Sequence, residues 1–174
     1  FGDNPQTQSY LNQKLLRANQ IGAKITIKRF NTTISAKTVY SLIEKLNNDR
    51  RIHGIIVQRP LPKQIDEEKT SLSIIPLKDV DSFHPHSKFF PPVALAVLKL
   101  IESTLKSDEI TKYLKSKKIV LIGKGITAGK PIINLFKRLN IKAKFFDSKT
   151  KDKEKLIKSA YIIVTSVGKK IIEK

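Results

Sequence analysis

With 174 residues, 40% of them hydrophobic, the chain is long enough for one ample core or two small ones. It has no cysteine, which excludes disulfides, thiolate nucleophiles and sulfur-ligated zinc, and no apolar run near the ~18 residues that cross a bilayer, so a soluble, cytoplasmic protein is expected. The net charge of +19 invites a nucleic-acid reading, but the lysines are scattered through nearly every segment, which favours a lysine-rich solvated surface that would still attract a dinucleotide or a polycarboxylate.

In chain order, "PQTQSYLNQKLLRANQIG" carries Tyr10, Leu11, Leu15, Leu16 and Ala18 close to helical spacing and stops at Gly22, which predicts a first helix. "KITIKRF" alternates like a strand. "SAKTVYSLIEKLNND" predicts a second helix, capped by Ser35, with Val39, Leu42, Ile43 and Leu46 on one face. "GIIVQ" reads as a short strand buried on both faces, of the parallel-sheet type. A proline-rich, polar stretch follows, with a short helix expected at residues 65–72. "VALAVLKLIESTL" resumes as an apolar helix, "KKIVLIGKGITAGKPIINLFKRLNIKAKFFDSKT" reads as strand, glycine turn, helix and strand, and "SAYIIVTSVG" as a further strand.

The predicted fold class is therefore α/β with two lobes: an N-terminal αβα lobe over residues 1–92, a connecting helix over 93–105, and a partial Rossmann-type parallel-sheet lobe over 106–174, with the hinge near 88–106. "FGDNP" reads as the exit of a strand, and the last lobe holds about three strands where such lobes usually have more, so a fragment of a longer protein is expected.

Several residues can carry chemistry. Gly123, Gly125 and Gly129 follow an apolar strand and open a helix near Pro131, the context in which a glycine turn cradles a pyrophosphate at a helix N-terminus. The spacing G-x-G-x-x-x-G also suits a tight turn that binds no nucleotide. Asp147 ends the next strand, where an acid would hold the ribose hydroxyls of NAD, whereas Lys124 inside the turn suits the 2′-phosphate of NADP. These two clues point in opposite directions. Tyr10 and Lys14 share a helix face, either as a lysine tuned for proton transfer or as a snorkelling lysine beside a half-buried ring. Asp79 and Asp81 in "LKDVDSF" suit a turn cap, a cation or a ligand's N–H groups; His84 and His86 flank Pro85 on an irregular loop, and no metal site is expected.

The stretches "GDNPQTQSYLNQK", "HGIIVQRPLP", "PLKDVDSFHP" and "GKGITAGKP" stand in the order, and near the spacing, of one family. They resemble the bifunctional methylenetetrahydrofolate dehydrogenase/methenyltetrahydrofolate cyclohydrolase family. The resemblance implies a catalytic Lys14, with Tyr10 lining the folate site, Gln58 hydrogen-bonded near Lys14 and Asp81 holding the pterin N–H edge; Pro60 and Leu61 would complete the substrate site. It also implies a cofactor loop from Gly123 to Pro131 with Lys124, Gly125, Gly129 and, on the adenosine side, Asp147 and Ser148. NADP is the expected cofactor, with NAD possible, and tetrahydrofolate derivatives, polyglutamylated or not, the expected substrates. A cytoplasmic homodimer in one-carbon metabolism, serving purine, methionine and histidine biosynthesis, completes what the resemblance implies. The chain departs from the family pattern at three places: Lys124 and Gly125 replace Arg-Ser, Ser82 stands where Gly is common, and Val93, Ala94 and Ala96 replace Thr, Pro and Gly. The same departures suit a member that keeps only the cyclohydrolase step. A basic nucleic-acid-binding module is the remaining alternative, disfavoured because the Phe and Tyr residues do not interleave with Lys as a stacking platform.

Overall fold

In a computed structural model describing residues 1–2, 5–105, 109–147, 150, 153–168 and 171, helix α1 spans Pro5–Gln20. Proline suits its first turn, where a missing N–H costs no intrahelical bond. The predicted stop at Gly22 is built as a Schellman turn: Gly22 has φ +71°, its N–H donates to Asn19 O at 3.3 Å, and Ala23 N–H reaches back to Ala18 O at 2.9 Å. Helix α2, Ala36–Asn48, starts at the expected cap, where Ser35 Oγ accepts from Thr38 N–H at 3.1 Å. Helix α3, Glu67–Ser73, is capped by Asp66 and starts two residues after, and ends one residue after, the predicted 65–72.

These elements belong to the first of two compact units, Phe1–Asp79 with His84–His86. Its core gathers Val39 and Ile43 of α2 with Ile55, Ile65 and Ile74. Each such side chain contributes about 1.5–3 kcal/mol by leaving water. Lys78 closes the unit from the side: its Nζ donates to the carbonyls of Leu46, Asn47 and Asp49 at 2.9, 2.7 and 2.8 Å, placing a cation on the C-terminal end of α2.

Among the described residues, the two strands expected in this unit do not form ladders. Residues 24–30 run without strand pairing, tied by a bond from Gly2 N–H to Phe30 O at 3.0 Å. Residues 54–58 make one isolated parallel bridge, Ile55 to Asp79, with Ile55 N–H donating to Lys78 O at 2.7 Å. Nor is "GIIV" buried on both faces, since Ile55 is 6% exposed and Ile56 41%. A strand exists through its neighbours, and among the described residues the backbone of 78–79 is the one that the bridge brings alongside Ile55.

The second unit, Val80–Phe83 with Ser87–Lys174, carries the sheet. Helix α4 spans Pro92–Leu105, α5 Ile110–Lys115, β1 Ile119–Ile122, α6 Gly129–Arg138, β2 Ala143–Phe146, α7 Lys153–Lys158 and β3 Ile162–Thr165. The sequence reading places no element at α5, whose six residues are too few to show a period. The strands are parallel in the order β2-β1-β3, with Ile119 opposite Ala143 and Ile162. Successive β1 side chains feed opposite faces: Ile119 and Leu121 pack with Ala94, Ile132, Leu135 and Phe136, while Val120 and Ile122 pack with Phe146 and the α7 residues Leu156 and Ile157. This makes β1 a continuously buried strand, as its unbroken apolar run predicts. Another Schellman turn ends α6, with Asn140 at φ +55° taking the glycine position and Ile141 N–H bonded to Phe136 O at 2.8 Å.

Candidate active site

In the first unit, α1 presents Lys14 from a half-buried position, and the "GIIVQ" segment ends on Gln58, also half-buried. The two meet although 44 positions apart: Lys14 Nζ donates to Gln58 Oε1 at 3.1 Å. Gln58 Nε2 donates in turn to Arg59 O at 3.2 Å, which fixes which end of the amide faces the lysine.

Arg59, which sequence reasoning passed over, anchors this corner. Its side chain is 6% exposed, its Nη2 donates to Ser71 Oγ at 2.9 Å, and its Nε lies 3.7 Å from Glu67 Oε2. A buried guanidinium tied to α3 on one side and an amide fixed on the other hold the "QRPLP" backbone between them. The signal available in sequence was a cation wedged between Gln58 and two prolines, flanked by an acidic helix start. The Arg59–Pro60 peptide is cis, Pro60 is exposed, and Leu61 packs against the unit's core. Tyr10 is 66% exposed, so its ring does not take Lys14 out of water; the partner that orients the lysine is Gln58.

The motif residues 78–82 separate by role. Lys78 caps α2 as described. Asp79 is 1% exposed and its Oδ2 accepts from His84 N–H at 2.7 Å, so of the options open in sequence it takes the turn cap. His84 Nδ1 accepts from His86 N–H at 3.0 Å, which commits that imidazole to the same turn. Asp81 is half-buried and belongs to the second unit. Ser82 keeps φ +59°, the conformation for which glycine is favoured, and its Oγ donates to Phe89 O at 2.9 Å. The replacement of Gly by Ser thus leaves the left-handed turn in place, with a side-chain bond offsetting part of the strain.

The glycine turn of the second unit lies at the C-terminal end of β1, where the strand order reverses between β2 and β3. Gly123 has φ +98°, and a Cβ there would meet Ser166 Oγ at 2.8 Å and Val167 Cγ1 at 2.9 Å. Gly129 is as constrained, because a Cβ would drive into the carbonyl group of Gly123 and approach Lys124 Cα at 2.9 Å. Around Gly125 there is open space within 4 Å, and residues 124–127 are exposed. Two glycines therefore close the turn while the third leaves the backbone open to a ligand, a cradle that fits a pyrophosphate. Lys130 N–H is bonded to Gly125 O at 2.9 Å and Pro131, buried in the first turn, has none, so the N–H groups of the exposed loop matter more than the sequence suggests.

Lys124 and Asp147, opposed clues in the sequence, are partners. Their side chains pair at 3.2 Å, 42% and 37% exposed, with Lys124 Nζ also 5.3 Å from the centre of the Phe145 ring. Asp147 N–H donates to Thr150 Oγ1 at 3.2 Å, and that hydroxyl donates to Asp147 Oδ1 at 3.3 Å. Ser148 lies outside the described residues.

Comparison with known proteins decides the family. Residues 1–81 match the model of the tetrahydrofolate dehydrogenase/cyclohydrolase catalytic domain, and residues 91–174 that of its NAD(P)-binding domain. The chain belongs to this family. Bifunctional protein FolD of Anoxybacillus flavithermus is 36% identical over 97% of this chain and 60% of its own length. The Enterococcus faecalis protein of that name is 36% identical over 97% and 61%. Among solved structures, the bifunctional methylenetetrahydrofolate dehydrogenase/cyclohydrolase of Campylobacter jejuni superposes with a TM-score of 0.84 at 33% identity, over 96% of this chain and 61% of that one. The Thermoplasma acidophilum enzyme gives 0.83 at 25% identity, over 97% and 61%. The chain thus spans about three fifths of the length of the family members it matches. Within the family models, Lys14, Gln58 and Asp81 fall in the catalytic-domain match and the glycine cradle in the NAD(P)-binding match.

Proposed function

We propose that the protein oxidises 5,10-methylenetetrahydrofolate with NADP and hydrolyses the resulting methenyl compound to 10-formyltetrahydrofolate, with Lys14 as the proton-transfer residue of the second step. The observation that carries this reading is the Lys14–Gln58 hydrogen bond, which joins the two most distinctive motifs of the first unit in one polar pair.

Hydride transfer asks little acid–base help of the protein, because the folate nitrogens stabilise the cation formed; the enzyme's task is to align donor and acceptor. Bound NADP supplies the hydride acceptor. The cradle of Gly123, Gly125 and Gly129 would hold its pyrophosphate, and Lys124 and Asp147 would meet its adenosine ribose. Hydrolysis is more demanding: water must lose a proton as it adds to the methenyl carbon, and a ring nitrogen must gain one as the ring opens. An amine can do both in sequence. Gln58 aims Nζ with a neutral carbonyl, which orients the lysine. Tyr10, Pro60, Leu61 and Asp81 complete the folate-binding part of the reading, Asp81 by accepting pterin N–H bonds. Tetrahydrofolate derivatives with their glutamate tails suit the strongly basic chain. The same reading carries the homodimeric state, the cytoplasmic location and the role in purine, methionine and histidine supply.

The test follows the methenyl absorbance as it decays on hydrolysis, in wild type and Lys14→Met, with correction for the spontaneous rate. Loss of catalysed decay, with retained binding of a folate analogue, is the expected result. Hydrolysis at the wild-type rate would remove Lys14 from the mechanism.

A further inference from the structure

The Lys124–Asp147 pair goes beyond the dinucleotide reading just given, and rests on it. Lys124 is the first residue after Gly123 at the end of β1; Asp147 is the first after Phe146 at the end of β2. These are neighbouring strands, with Ile122 opposite Phe146 and Gly123 N–H bonded to Phe146 O at 2.9 Å, so both side chains rise from one edge of the sheet. In dinucleotide folds that edge receives the adenosine ribose, and an acid about 20 residues beyond the glycine turn accepts its 2′-hydroxyl.

We propose that Asp147 and Lys124 form one specificity element in which Asp147 takes a bare ribose 2′-hydroxyl, Lys124 takes a 2′-phosphate, and the ion pair between them restrains the second choice. A hydroxyl can donate to Asp147 while the pair stays closed, because each carboxylate oxygen accepts more than one bond. A 2′-phosphate itself carries close to two negative charges, and it meets a carboxylate that has no proton to give. To receive it, Lys124 must leave Asp147 or bridge the two anions. The carboxylate is held in place meanwhile by the bond from Thr150 Oγ1, and Phe145 sets one wall beside the lysine. Asp147 is thus a brake on NADP, and the chain accepts both dinucleotides with a ratio the pair sets. Lysine offers a point charge rather than a two-pronged guanidinium, so it lacks the geometry that would fix phosphate against this competition.

The test measures binding of 5′-AMP and 2′,5′-ADP, which differ by the 2′-phosphate, to the whole chain by titration calorimetry. Asp147→Asn should raise the preference for 2′,5′-ADP over 5′-AMP by about tenfold, the size of one charge-assisted contact. Lys124→Gln should shift the preference by a similar factor in the opposite direction. An unchanged ratio in Asp147→Asn, or equal weakening of both ligands in Lys124→Gln, overturns the proposal while leaving dinucleotide binding intact. Failure of the wild-type protein to bind either nucleotide overturns both this proposal and the dinucleotide reading.

Discussion

Lys14 and Gln58 meet at 3.1 Å across 44 positions of sequence, and the amide is oriented by its own second bond to Arg59 O. A neutral acceptor aims the lysine. Gln58→Glu keeps the reach and adds a charge, which favours ammonium over amine. Methenyl hydrolysis by this variant should fall about tenfold at neutral pH and recover partly as the pH is raised, whereas Gln58→Leu should be low at every pH. Identical pH–rate profiles for wild type and Gln58→Glu would show that the pair does not govern proton transfer.

Asp79 and Asp81 stand two residues apart, and the proposed reading gives the turn to Asp79 and the ligand to Asp81. Asp79→Ala removes the carboxylate that accepts His84 N–H, and should lower stability by about 1–3 kcal/mol. Asp81→Asn should shift the melting temperature less and weaken binding of a folate analogue more. Thermal melts alongside ligand titrations check the pair, and the reverse ranking would show that the wrong carboxylate has been given the ligand.

Ser82 tests the left-handed turn. Ser82→Ala keeps the strained φ and loses the bond to Phe89 O, so a cost of about 1 kcal/mol is expected. Ser82→Gly loses the bond and the strain together, and should remain closer to wild type in chemical denaturation. Equal losses in both variants would show that the backbone at 82 is unstrained.

Gly123 and Gly129 should tolerate no side chain. Gly129→Ala pushes a methyl into Gly123 and Lys124 backbone, and Gly123→Ala adds a left-handed penalty to a clash with Ser166 and Val167. Each should cost about 2 kcal/mol or more and abolish adenine-nucleotide binding. Gly125→Ala, with open space around it, should fold normally and weaken nucleotide binding alone, a contrast visible in melts and titrations.

The end of α2 gives a pH-dependent prediction. Hydrogen bonds from the Arg51 side chain, and then from its backbone N–H, hold the Asp49 carboxyl well below the usual carboxylate range. A depressed acid contributes stability above its unfolded value, near pH 4, and loses it as pH falls toward the folded value. Thermal unfolding should therefore show a difference between wild type and Asp49→Asn that is full at pH 5–8 and shrinks only at strongly acid pH. Lys78→Met, which strips three carbonyls of their donor, should cost about 2 kcal/mol across that range.

Helices were legible wherever sequence supplied both a face and an end: Ser35 before Val39 and Ile43, or Gly22 after Ala18. The parallel sheet was legible because β1 is apolar on both faces and a glycine turn follows it. Residues 24–30 and 54–58 were not, because local alternation states a preference and a strand needs a neighbour at hydrogen-bonding distance. The Lys14–Gln58 pair was readable only through the family resemblance, which supplies distant pairings that local periodicity lacks. Lys124 and Asp147 looked contradictory because each was read for a ligand, when they pair with each other.

Lys78, Asp79 and Ser82 of "KDVDS" all serve the architecture: one closes a helix, one caps a turn, one bends the backbone. A copy of this protein that had lost its chemistry would still need them to fold. Finding the motif in a genome therefore records the architecture, and on the proposed reading Asp81, with Lys14 and Gln58, is where an inactive descendant would be recognised.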